Sequence, residues 1–200
     1  MKYFYVLILF MAMCTFWGCA TTDKVSDVLI TENDFEVQYN NIMINNKLPI
    51  TQIEQGLGIK FEDFGENIEQ IGCGDSEGYN YIWNTLYFPN KENCDIEIWY
   101  IINKTLNTTT ITSLFITNGK VNKNISIGDS VSDLLKAYGE PNAQYSLSDT
   151  TNGLYAYRLD SSNSNYEIRV IVDVETKKIK KVCIDYESDK IMNELDMYRP

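Results

Sequence analysis

Acidic residues are the side chains of this sequence that could do chemistry, because the chain has 28 Asp and Glu and no histidine. Asp75, Glu77, Asp95 and Glu97 lie near aromatic residues, and a pair of carboxylates beside aromatic rings would suit a glycan. Absence of histidine removes the usual general base, the common serine and cysteine triads, and the commonest transition-metal ligand. Scattered acids are more often solvated surface residues. We therefore predict that the protein is not an enzyme and has no catalytic residue, cofactor or metal.

The cysteines indicate neither a disulfide scaffold nor a zinc site. Beyond the first twenty residues the sequence has Cys73, Cys94 and Cys183, an odd number with no C-x-x-C pair. Cys73 precedes a turn, and Cys94 lies beyond the far end of the next predicted strand. At about 3.3 Å per residue that strand separates the two Cα atoms by much more than the roughly 7 Å that a bridge allows. We predict no Cys73–Cys94 disulfide and leave the pairing of Cys183 open.

The N-terminus, MKYFYVLILFMAMCTFWGCATT, has the features of an export signal. One cation, Lys2, precedes a long uncharged apolar run that ends at Gly18, Cys19 and Ala20. This junction resembles the lipobox of bacterial lipoproteins, and the resemblance implies a signal peptide over residues 1–18, a diacylated Cys19 and a polar tether over 19–33. Ordinary cleavage near Ala20 and an uncleaved anchor are the alternatives. All three predict export, and the lipobox predicts an anchor in the cell membrane or outer membrane, facing outside the cytoplasm.

The charge of the chain limits its partners. Its 17 cations and 28 anions give a formal net charge of −11, and the acids are spread along the sequence. Such a surface repels nucleic acid and gives no electrostatic hold on anionic lipid. Contact with a membrane is therefore predicted only through the lipid anchor.

The stretch ISIGDSVSDLLKAYGEPN predicts one short capped helix. Ser130 can cap the first amides, and Asp133 three residues later completes a capping box. An apolar stripe follows at helical spacing, formed by Val131, Leu134, Leu135 and Tyr138. Gly139 and Pro141 end it. Two turns are too short to be stable alone, so this helix must pack on other elements.

An earlier stretch, FEVQYNNIMINNKLPITQIEQGLGIKFE, repeats this pattern less completely. Thr51 and Glu54 open a short stripe of Ile53 and Leu57 that ends at Gly58. The segments after each helix also correspond, and they align Phe115 with Cys183. The predicted fold class is α+β, with two tandem units over residues 34–118 and 119–187, each a short helical element packed on an antiparallel β-meander. Residues 188–200 are predicted to form a C-terminal helix.

The second stretch resembles the signature of the SmpA/OmlA (BamE-like) lipoproteins and of the related β-lactamase-inhibitor-protein fold. The residues that carry the resemblance are Gly128, Ser130, Asp133, Leu134, Gly139 and Pro141. The family implies a short helical pair on an antiparallel sheet, often in tandem, and an envelope protein that works by binding other proteins. The predicted partner is an envelope or extracellular protein, with a glycan-binding or glycan-hydrolysing surface module as the alternative function.

Strand alternation assigns the two faces of the predicted sheet. The covered face holds Ile96, Ile98, Tyr100, Ile102, Leu114 and Ile116 in the first unit, and Ile168, Val170, Val172, Val182, Ile184 and Tyr186 in the second. The other face is charged in the second unit and aromatic in the first. The candidate binding residues are Tyr79, Tyr81, Trp83, Trp99 and Phe115. The linker, the first strand or the C-terminal segment covers them in the competing interpretation.

Overall fold

The computed structural model of the protein describes residues 28–61, 67–74, 80–147, 151–159 and 165–187. The predicted signal peptide (1–18), most of the predicted tether (19–27), Cys19, Tyr79 and the predicted C-terminal helix (188–200) lie outside these residues. Those predictions stay predictions.

The described chain forms two antiparallel sheets and two short α-helices. The strands are β1 (Val37–Tyr39), β2 (Ile42–Ile44), β3 (Ile68–Gly74), β4 (Tyr81–Phe88), β5 (Ile96–Asn103), β6 (Thr108–Ile116), β7 (Lys120–Val121), β8 (Ile125–Ser126), β9 (Ala143–Ser146), β10 (Asn152–Arg158), β11 (Glu167–Asp173) and β12 (Ile179–Asp185). The helices are α1 (Ile50–Leu57) and α2 (Val131–Tyr138), and 3-10 turns span Glu32–Phe35 and Asn122–Asn124. The larger sheet has eight strands in the order β3-β4-β5-β6-β12-β11-β10-β9, and the smaller has the order β2-β1-β7-β8.

The predicted fold class, α+β with two tandem units of a short helical element on a meander, is wrong. The protein is β-rich, and its two meanders are halves of one continuous antiparallel sheet. They join where β6 pairs with β12, with Ile116 opposite Val182 and Leu114 opposite Ile184. This pairing removes the free edge that each meander would otherwise expose. It also lets about 150 residues bury one core instead of two small ones.

Helix α2 matches the predicted helix closely. Ser130 is its N-cap, and the Ser130 hydroxyl accepts a hydrogen bond from the Asp133 amide at 3.1 Å and donates one to the Asp133 carboxylate at 2.6 Å. Gly139 follows the last turn with a φ of 74°, a conformation that favours glycine. Leu134 and Tyr138 are buried, whereas Val131 and Leu135 are only half-buried. Half of the apolar stripe therefore packs into the core.

Helix α1 ends as predicted but begins differently. Gly58 adopts the left-handed conformation after the helix, and its amide donates to the Glu54 carbonyl. Thr51, which was predicted to open the helix, lies inside it, because the helix begins at Ile50 with Pro49 in the capping position. The Glu54 side chain instead accepts a hydrogen bond from the Phe61 amide at 2.9 Å. Glu54 of the helix thus binds the segment that follows the helix.

The hydrophobic core lies on one face of the large sheet, which we call the helix side. The predicted covered-face residues are buried there, except Ile102, which is half-buried. Against them pack side chains from the helices, the small sheet and the segment before β1, namely Phe35, Val37, Ile44, Ile53, Leu57, Leu134 and Tyr138. Successive side chains of a strand point to opposite faces of the sheet, so the alternation predicts these faces without knowledge of which strands pair.

Four buried tyrosines attach the surrounding segments to this core. Tyr186 donates its hydroxyl to the Phe35 carbonyl at 2.6 Å, and Tyr100 donates to the Phe61 carbonyl at 2.7 Å. The Tyr138 hydroxyl lies 2.9 Å from its acceptor in the second 3-10 turn, and the Tyr157 hydroxyl lies 3.4 Å from the carbonyl after α2. Each hydroxyl meets a main-chain carbonyl outside the large sheet, so these contacts position the segments that cover the helix side.

Among the described residues, neither helix is long and apolar enough to cross a membrane.

Candidate functional site

Three aromatic side chains form a row across β4, β5 and β6, on the face of the sheet opposite the helix side. We call Trp83, Trp99 and Phe115 the aromatic row. The Trp83 and Trp99 ring centroids are 5.5 Å apart at an interplanar angle of 76°, and those of Trp99 and Phe115 are 5.0 Å apart at 50°. These edge-to-face and tilted geometries are the favourable ones for aromatic pairs. The row therefore has a fixed internal arrangement.

The aromatic row is half-buried. Trp83, Trp99 and Phe115 each keep part of their surface accessible, and so does Tyr81 at the start of β4. Thr85 and Ser113, which lie opposite Trp99 on the two neighbouring strands, are buried. The structure thus brings three of the five predicted binding residues into ring contact. Tyr81 lies on the same strand as Trp83, and Tyr79 lies outside the described residues.

The indole N–H groups of the two tryptophans differ in their partners. Trp99 Nε1 donates to the Glu97 carboxylate at 2.6 Å. Trp83 Nε1 is buried and has no hydrogen-bond partner in the structure of the described chain. A buried donor without an acceptor costs about 1 to 3 kcal/mol. Trp83 therefore holds an unused hydrogen-bonding group beside the accessible part of the row.

Lys181 extends the row into the other half of the sheet and is not one of the predicted binding residues. Its Nζ lies 4.7 Å from the Phe115 ring centroid and 3.8 Å from the Glu97 carboxylate. The first contact is a cation–π geometry. The signal that could have located it is cross-strand: Phe115 lies directly opposite Cys183, two residues from Lys181 on β12.

An ionic ladder continues the same face across β12, β11 and β10. Glu167 lies 2.9 Å from Arg158 and 2.8 Å from Arg169, and Arg169 also contacts Asp185 at 3.2 Å. Burial raises the pKa of Glu167, but the hydrogen bonds from Arg158 and Arg169 outweigh burial and hold it below its usual range. The charged face predicted for this half is therefore present, and its charges are paired. Aromatic and ionic halves meet at Phe115 and Lys181.

The two described thiols are poor nucleophiles. Burial raises the pKa of Cys183 to about 12, and burial also raises the pKa of Cys94. Since the thiolate is the reactive form, both thiols are protonated at neutral pH. Cys94 is free. The backbone of Cys73 pairs with Ile82 near the start of β4, whereas Cys94 follows the other end of that strand.

The described acids of the candidate carboxylate site are held by structural contacts. Asp95 accepts hydrogen bonds from the Tyr39 hydroxyl at 2.6 Å and the Asn118 amide at 3.0 Å. Burial, and then the bond to Asp95, raises the pKa of Tyr39 to about 12. Asp75 and Glu77 lie outside the described residues. Among those described, no group of three acidic, cysteine or histidine side chains could hold a metal ion.

No protein-family model and no curated protein sequence matches the chain. A comparison with solved structures finds an extracellular protein of Bacillus anthracis str. Ames that contains a SCP domain. It is 13% identical, and the match covers 62% of this chain and 41% of that chain with a TM-score of 0.33. The chain thus spans less than half the length of that protein, and this TM-score is too low to show a shared fold.

Proposed function

We propose that the protein is an exported bacterial envelope lipoprotein that binds another protein and performs no chemistry. The aromatic row carries this proposal. The rings of Trp83, Trp99 and Phe115 offer a large contact area and are already packed on one another. Binding therefore restricts few additional side-chain torsions and costs little conformational entropy. Tryptophan is enriched among residues that dominate binding energy. A partner acceptor that reached Trp83 Nε1 after a small ring movement would also satisfy its unpaired donor.

The charges beside the row support a protein partner. Lys181, Glu97 and the ladder of Arg158, Glu167, Arg169 and Asp185 flank it on one side. An apolar centre with a polar, charged margin is the usual anatomy of a protein interface. The charged margin contributes to orientation and rate of association more than to affinity.

The chemistry of the described residues favours binding over catalysis. The sequence has no histidine to act as a base near neutral pH. Burial keeps the Cys94 and Cys183 thiols protonated, and Asp95 is occupied by Tyr39 and Asn118. Binding needs none of these groups.

The membrane anchor of this proposal is a diacylated Cys19. Its support is the Gly18-Cys19-Ala20 junction after an uncharged apolar run. The wild-type protein should incorporate a metabolic fatty-acid label and sediment with membranes. The Cys19→Ala variant should lose the fatty-acid label and should no longer sediment with membranes. Unchanged labelling of Cys19→Ala would refute lipidation at this residue.

Site-specific photocrosslinking tests the aromatic row directly. A benzoylphenylalanine replaces Phe115 in one variant and Tyr145 in the control, which lies on β9 at the far edge of the sheet. Both positions carry an aromatic ring, and Tyr145 is 54% exposed. Irradiation of intact cells should give a discrete protein adduct from position 115 and not from 145. Lys181→Glu should weaken that adduct.

Two outcomes would refute the row as the contact surface. One is the same adduct from positions 115 and 145. The other is a partner that copurifies with the protein but never crosslinks from position 115. Equal thermal melting of the two crosslinker variants is the control for folding.

Glycan binding is the second candidate, and the contact between Trp99 and Glu97 favours it. An indole beside a carboxylate offers a stacking surface and a hydrogen-bond acceptor for a sugar, and Trp99 Nε1 to Glu97 is a 2.6 Å contact. A glycan array with the chain from residue 19 onward distinguishes the two. Strong sugar binding that is lost in Trp99→Ala, together with no protein adduct from position 115, would favour the glycan.

A further inference from the structure

A second candidate site lies on the helix side, away from the aromatic row. The half-buried residues of α2, Val131 and Leu135, face a groove of about 740 Å³. Its other lining residues include Val28, Tyr155 of β10 and Lys177 of the β11–β12 turn. Tyr155 lies opposite the buried Val170, which places it on the helix side. The groove is therefore the part of the sheet that α2 leaves uncovered.

The groove continues toward the edge of the sheet. A second hollow of about 400 Å³ shares Tyr155 and Lys177 with it and reaches Val172 and Val174. Val174, which follows β11, is 39% exposed. The larger hollow is mainly apolar, and its volume lies within the range of about 300 to 1,000 Å³ that is usual for small-molecule sites.

The charges around the groove differ in sign from the charge of the chain. The chain has a net charge of −11, but among the described residues that line the groove the charged side chains are two lysines, Lys136 and Lys177, and one carboxylate, Glu140. Lys136 contacts Asp133 at 3.5 Å, and its side chain is 76% exposed. Such a surface ion pair contributes about 0 to 1 kcal/mol and is readily exchanged for another anion. Two lysines, Lys136 and Lys177, therefore line the groove together with one carboxylate, Glu140.

We propose that this groove binds a single-chain amphiphile with one carboxylate headgroup. The apolar chain lies on Val131, Leu135 and Tyr155, and the carboxylate lies between Lys136 and Lys177. The positive charge of the two lysines favours an anionic headgroup, because an anion is attracted to them, whereas a cation with the same chain is repelled by them. The proposal is independent of the aromatic row, because the two sites lie on opposite faces of the sheet.

Calorimetry with two amphiphiles of equal chain length tests this inference. The chain from residue 19 onward is titrated with dodecanoate and with dodecyltrimethylammonium, both below the concentrations at which micelles form. Dodecanoate should bind at one site, about tenfold or more tighter than the cation. Lys177→Glu should weaken dodecanoate binding about tenfold, and Lys136→Glu/Lys177→Glu should reverse the preference.

Matched variants separate the groove from general charge effects. Lys104→Glu makes the same change of charge at an exposed turn after β5, outside the groove, and should leave dodecanoate affinity unchanged. Leu135→Asn should weaken both amphiphiles, because it removes apolar contact and leaves the lysines. Equal affinity for the two amphiphiles, no binding of either, or equal losses in Lys104→Glu and Lys177→Glu would each overturn the proposal.

Discussion

Removing the Tyr186 hydroxyl is expected to destabilise the protein far more than the same change at Tyr157. Both side chains are buried on the helix side, and Tyr→Phe keeps their shape. Tyr186 donates to the Phe35 carbonyl at 2.6 Å, a normal hydroxyl hydrogen-bond length, whereas Tyr157 lies 3.4 Å from its acceptor, beyond the usual range. One substitution therefore breaks a hydrogen bond and the other breaks at most a weak contact.

The magnitude follows from the burial of the acceptor. In Tyr186→Phe the Phe35 carbonyl loses its donor inside the core, because Phe35 is itself 1% exposed. Leaving a buried acceptor unpaired costs about 1 to 3 kcal/mol of unfolding free energy. Tyr157→Phe should stay within about 0.5 kcal/mol of the parent. Tyr100→Phe, whose bond is 2.7 Å long, should resemble Tyr186→Phe.

Urea unfolding followed by tryptophan fluorescence measures these differences, and hydrogen exchange locates them. Since Tyr186 holds the 3-10 turn Glu32–Phe35, the amide of Asp34, which bonds the Thr31 carbonyl, should exchange faster in Tyr186→Phe than in Tyr157→Phe. Equal unfolding free energies for the two variants would refute the reasoning, because burial and shape are the same and only the hydrogen bond differs.

Three further predictions concern reactivity, pH and the helix cap. Iodoacetamide at pH 8, with peptides mapped by mass spectrometry, should label Cys94 faster than Cys183 in the folded protein, and the difference should disappear in urea. Burial raises the pKa of Tyr186 well above its ordinary value of 10.0. The stability that the neutral Tyr186 contributes to the fold is therefore complete below pH 10 and is lost as the pH rises above it, where the tyrosine ionises in the unfolded chain first. The urea midpoint should accordingly fall between pH 9 and pH 11. Ser130→Ala should lower the unfolding free energy in urea by about 1 kcal/mol, because Ser130 caps α2. Thr51→Ala should raise it by a few tenths of a kcal/mol, because Thr51 is exposed inside α1 and alanine is the better helix former.

Local features of the fold could be predicted from the sequence because their causes are local. The cap at Ser130 and the stop at Gly139 act within one helix, and period-two alternation assigns Ile98 and Val170 to the buried face without knowledge of strand partners. Trp83, Trp99 and Phe115 lie on one face as alternation predicts, although the β5–β6 register shifts between Trp99 and Tyr100. These features depend on spacing alone.

The pairing of β6 with β12 could not be predicted, because it depends on the backbone groups of two strand edges far apart in sequence. The sequence alignment of Phe115 with Cys183 predicts that they are equivalent residues of two repeats. In the structure these residues are direct neighbours across the β6–β12 pair. The same correspondence therefore has a different physical meaning: the two meanders face each other across a junction, and their matching patterns extend one core across it.

This junction determines what the candidate binding face can recognise. In separate units, the aromatic row and the ionic ladder would belong to different surfaces. Because β6 pairs with β12, Lys181 reaches both the Phe115 ring and the Glu97 carboxylate, and the rings and the paired charges lie on one face. In the proposed protein interface, affinity would come from burying the rings, while the order of charges would reject partners whose own charges fall out of register. The partner expected for such a face presents an apolar anchor beside alternating charges.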